Sequence, residues 1–130
     1  MKLESLDFVY MPSRDPAAEL AQIEEQLGWA VAFAIEAFGT RVAMLRPTEQ
    51  PPAFLLAGHL HSDRPVLVYR VDSLQAAVAE LEAAGLDPGP ELGIPHGPMH
   101  EFELEGGHRL AIYELTRPGA AAHLEGRRDF

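Results

Sequence analysis

The sequence predicts an α+β fold: two tandem β-α-β-β-β modules forming one curved, eight-stranded mixed sheet, with the helices on its convex side. Three observations predict it. A strand-then-helix pattern occurs twice, turn residues after each helix mark short strands, and either module alone is too small to bury both faces of its sheet.

The repeat is carried by residues 7–28, DFVYMPSRDPAAELAQIEEQLG, and residues 65–85, PVLVYRVDSLQAAVAELEAAG. Each opens with an apolar strand containing a Val-Tyr pair, passes an Asp, and continues as an Ala/Leu/Glu helix that stops at Gly. In the first helix Asp15 is a natural N-cap and Pro16 stands at N1, where its missing N–H costs nothing. Leu20, Ile23 and Leu27 fall on one face, and Gly28 ends the helix. In the second, Asp72 or Ser73 caps, Leu74, Ala77, Val78 and Leu81 form the buried stripe, and Gly85 stops it.

Strands over residues 31–37 and 40–46 flank a Phe38-Gly39 turn, and residues 52–57 follow a Pro-rich loop. Residues 99–104 and 108–115 form a hairpin across Gly106-Gly107. Between them, residues 87–98 hold four prolines and three glycines and read as a mobile lid or edge. One domain therefore spans residues 1–117, with modules at about 4–58 and 64–115, and residues 118–130 read as a C-terminal tail.

Twenty acidic against ten basic side chains give a formal charge of −10, which repels nucleic acid and anionic membranes. Arg127 and Arg128 are too few to reverse that. With no cysteine, disulfides and thiolate chemistry are excluded. No leader peptide and no apolar run of about 20 residues is read, so a soluble cytoplasmic protein is expected.

Several segments, in order, resemble the vicinal-oxygen-chelate (glyoxalase/bleomycin-resistance) superfamily. They are Leu6-Asp7-Phe8-Val9, Asp15 with Leu27-Gly28, the run from Val68 to Leu74, and Gly106-Gly107-His108-Arg109-Leu110-Ala111-Ile112-Tyr113-Glu114. The resemblance covers about residues 4–117. It implies a divalent metal held by His or Glu from the first and last strand of each module. Those positions fall on Phe8, Leu55, Val66 and Ala111, and none offers a donor. A one-residue slip brings in only Asp7. No cofactor is expected, and a divalent metal is disfavoured.

Two histidine pairs are the remaining metal candidates: His59 with His61, and His96 with His100. The weaker reading has them meet in a relocated site; the stronger leaves them as solvated loop histidines. The four transferred positions Phe8, Leu55, Val66 and Ala111 make the floor of a ligand cleft. Strand parity with them adds Tyr10, Arg70, Arg109 and Tyr113, His100 on the penultimate strand is a further candidate, and Glu114 faces the helix side or an interface. An apolar floor with a polar rim suits a small, partly aromatic molecule; a packed core is the equal alternative. His96, His100 and Glu101 are the candidate acid–base residues. The leading expectation is a metal-independent small-molecule binder. An enzyme with relocated ligands or a metal-free acid–base pair comes second, and a non-catalytic dimerising module third. A homodimer is the expected assembly.

Overall fold

The computed structural model describes residues 1–37, 39–60 and 62–130. Its elements are β1 (Ser5–Pro12), α1 (Pro16–Gln26), β2 (Ala30–Ala37), β3 (Thr40–Arg46), β4 (Ala53–Ala57), β5 (Val66–Val71), α2 (Leu74–Ala83), β6 (Glu91–Ile94), β7 (Gly97–Glu103) and β8 (Arg109–Glu114). Both helices and all eight strands follow the doubled β-α-β-β-β order. The strands form one mixed sheet in the order β2-β3-β4-β1-β5-β8-β7-β6. In each module the first and last strands pair in parallel, and the remaining pairs are antiparallel. This is the predicted α+β class.

Contacts divide the chain into two compact units: residues 8–65 with 124–130, and residues 1–7 with 66–123. In the first, the Asp15 side chain accepts from Ala18 N–H, capping α1 as its sequence implies. Leu20 packs with Ala34, Ala43, Leu45 and Leu56, and Met11, Ile23, Trp29, Val31 and Phe54 close the cluster. Leu27 leaves the predicted stripe. It is the C-cap residue and 58% exposed, because the chain turns at Gly28 with φ +65°.

In the second unit Ser73 is the N-cap of α2. Leu74, Ala77 and Leu81 pack on Val71 and Ile112. Glu114, on the same side of β8, accepts from Leu74 N–H at 2.9 Å and so completes the cap, as its parity predicts.

Of the two expectations for residues 87–98, a lid or an edge, the structure shows the edge. Glu91–Ile94 pairs with the start of β7 as an edge strand. The turn that follows is clamped: Arg117 donates to the Ile94 and Pro95 carbonyls at 2.7 Å, and the His96 carbonyl accepts from Thr116 and Arg117 N–H. Gly97 is required there, because a Cβ would collide with the Glu114 carbonyl oxygen. The tail expectation changes too, since residues 124–130 are packed in the first unit.

Candidate functional site

Polar chemistry gathers at one end of the second unit. Ser5 and Asp7 alternate along β1 and so share a side, and Ser5 Oγ donates to Asp7 Oδ1 at 2.6 Å. Tyr113, on β8, donates its hydroxyl to Asp7 Oδ2 at 2.5 Å. Arg70 lies opposite Tyr113 in the β5–β8 register and places Nε 3.7 Å from Asp7 and 3.3 Å from Glu4. The Glu4 N–H in turn donates to the Arg70 carbonyl. Both oxygens of the Asp7 carboxylate are thus engaged, and its side chain is 13% exposed.

His96, in the clamped β6–β7 turn, is half-buried and within the fields of Asp7 and of Arg117. Burial lowers its pKa below the ordinary histidine value; the Asp7 carboxylate opposes that and Arg117 adds to it. Burial thus favours the neutral form of the imidazole.

A second charged pair joins the start of β8 to β7. Arg109 and Glu101 form a close ion pair on the face that carries Ala111, each side chain about four-fifths buried. Arg109 Nη1 is buried without a hydrogen-bond partner. Glu101 therefore meets a guanidinium rather than the apolar surroundings that would suit a general base.

The other predicted residues separate. Arg70, Arg109, Ala111 and Tyr113 share a face of the second unit with Val66 and Val68. His100 does not join them: it pairs with Ile112 on the α2 side, and its Nδ1 meets the Pro88 and Gly89 carbonyls. His96, in the turn before β7, and His100, within that strand, thus go to different places. His59 is an exposed residue of the first unit, and His61 lies outside the described residues. Among the described residues no three His, Cys, Asp or Glu side chains converge as a metal site.

The apolar floor is core. Phe8, Tyr10 and Leu55 in the first unit, and Val66, Ala111 and Tyr113 in the second, are all at or below 8% exposure. Burial pushes the Tyr10 hydroxyl above its ordinary pKa. The four transferred metal positions, Phe8, Leu55, Val66 and Ala111, are therefore apolar and closed, and a divalent ion does not fit them. Sequence reasoning passed over Glu4, Ser5 and Arg117, and admitted Asp7 only through a register slip. The alternating Ser5 and Asp7 at a strand start were the available signal.

Solved structures share this fold. The methylmalonyl-CoA epimerase of Mycobacterium tuberculosis aligns with a TM-score of 0.73 at 18% identity, over 92% of this chain and 93% of its own. A variant of the Streptomyces coelicolor methylmalonyl-CoA epimerase in complex with 2-nitronate-propionyl-CoA aligns at 0.73 and 14% identity, over 89% and 100%. A hypothetical protein from Bacillus halodurans aligns at 0.69 and 13%, over 87% and 95%. No protein-family model matches the chain, and neither does any curated protein. At these identities the likeness establishes the fold alone.

Proposed function

We propose that this chain acts on a small organic molecule by metal-independent acid–base chemistry, with the Asp7 cluster as its polar site. The observation that supports this reading is the hydrogen-bonded set Ser5–Asp7–Tyr113 with Arg70, in the same unit as His96, whose neutral form burial favours. His96 takes a proton from a carbon next to a carbonyl and returns it. The electron pair rests meanwhile on the carbonyl oxygen, facing the Arg70 guanidinium. Asp7 orients Arg70 and favours the imidazolium that forms, while Ser5 and Tyr113 are positioning residues that fix the carboxylate. The epimerases of the same fold make a carbonyl-activated C–H a reasonable first substrate class.

The test is proton–deuterium exchange followed by NMR in D2O with a chelator present, across acyl-CoA thioesters, 2-oxo acids and malonate-type acids. The expected outcome is protein-dependent exchange that His96→Gln lowers by roughly 100-fold or more. Exchange that is lost on chelation, or that His96→Gln leaves untouched, contradicts the reading.

A binding-only role is the second reading, favoured by the fact that Arg70 is already paired with Glu4 and Asp7. It predicts saturable resonance shifts without exchange in the same samples. Sequestration of a flat aromatic on the apolar floor is less well supported, because that floor is buried. A homodimer belongs to either reading, on account of the sheet edges a partner would cover.

A further inference from the structure

Residues 124–130 lie outside both predicted modules, yet they run along β2 in the first unit. The pairing is parallel, with Ala34 opposite Arg128. Gly126 N–H donates to the Ala32 carbonyl at 2.7 Å, Ala34 N–H to the Arg127 carbonyl at 2.8 Å, and Asp129 N–H to the Ala34 carbonyl at 2.6 Å. Asp129 Oδ2 continues the ladder by accepting from Glu36 N–H at 2.9 Å.

Side chains on this segment are read one by one. Glu125 takes two hydrogen bonds from Arg46 Nη1, at 2.8 and 3.0 Å. Arg128 reaches Glu24 on α1 at 2.7 Å. Phe130 packs on the cluster of Leu20, Ala34, Ala43, Leu45 and Leu56, with the Arg41 guanidinium 5.4 Å above its ring. Backbone pairing supplies affinity and the side-chain sites supply sequence preference, as when a peptide adds a strand to a sheet edge.

We propose that the β2 edge is a peptide-accepting groove selective for the extended sequence of residues 124–130, and that it takes the same segment from a second copy of this chain. Every recognition contact just described lies between that segment and β2, β3, β4 or α1, so the contacts are the same whichever copy supplies it. Residues 30–35 of β2 carry no charge, and left bare they would offer an unguarded strand template. The acidic groups add a pH signature. A hydrogen bond from Arg46 holds the Glu125 carboxyl below its usual range. The Arg127 side chain, and then the Glu36 N–H, do the same for Asp129. Groups depressed in this way stabilise fully above the ordinary carboxylate pKa of about 4. That contribution is lost as pH falls through the depressed values.

The test uses the full chain carrying a protease site inserted between Pro118 and Gly119, cut after folding. A labelled synthetic peptide of residues 124–130 presents the second copy's segment. The peptide is expected to displace the cut fragment and bind saturably, with Asp129→Ala and Phe130→Ala peptides each about tenfold weaker, and to bind more weakly below about pH 4. A scrambled peptide that binds equally well overturns the proposal. So does failure of the native peptide to enter a cut chain whose circular dichroism is unchanged.

Discussion

The two units repeat one β-α-β-β-β order but treat the sheet face turned away from the helix in opposite ways. In the first, Phe8, Tyr10, Phe33, Met44 and Leu55 occupy that face, and all are buried. In the second, Val68 and Ala111 are equally buried in the middle. The strand ends carry Arg70 with Asp7, and Arg109 with Glu101. Duplication thus supplies two scaffolds of the same shape. The first unit's face is core throughout, and the second carries charged groups at its strand ends.

Substitutions in the two units should therefore fail in different ways. Phe33→Ala removes a fully buried ring and should cost about 3–5 kcal/mol in denaturant unfolding. Asp7→Asn keeps the shape but weakens the bonds from Ser5 and Tyr113, and should cost about 1–2 kcal/mol. In the exchange assay the order reverses, with Asp7→Asn the more damaging of the two wherever Phe33→Ala remains folded. If both variants lose stability and activity in parallel, the separation of core from chemistry fails.

The smallest effect concerns pH. The pKa of His96 is lowered by burial, so below the ordinary histidine value of about 6.5 the unfolded chain binds the proton more readily. Stability should decline as pH drops from about 6.5 toward the folded pKa. His96→Gln should flatten that part of the profile in thermal unfolding, and a slope that persists in the variant would assign it to another group.

Much of the fold was legible because its signals are local. Asp15, Pro16, Ser73 and the helix-ending glycines act within a few residues of themselves, and strand parity placed Glu114 on the α2 side. The site was less legible because its geometry is non-local. Nothing near Asp7 in sequence announces Tyr113, which lies 106 positions away in the chain. Histidine spacing misled for a physical reason: His96 stands in the turn before β7 and His100 within the strand, so alternation cannot be carried from one to the other. The docked segment at residues 124–130 was missed because Pro118-Gly119 ends one pattern, and the contacts that hold the next stretch come from β2, β3, β4 and α1.

A ¹H–¹⁵N NMR titration in the presence of a chelator, using any compound that exchanges or binds, tests the central claim most directly. The account predicts perturbations centred on Glu4, Asp7, Arg70, His96 and Tyr113, unchanged when divalent ions are withheld. Perturbations confined to the first unit, or appearing only when a divalent ion is restored, would contradict it.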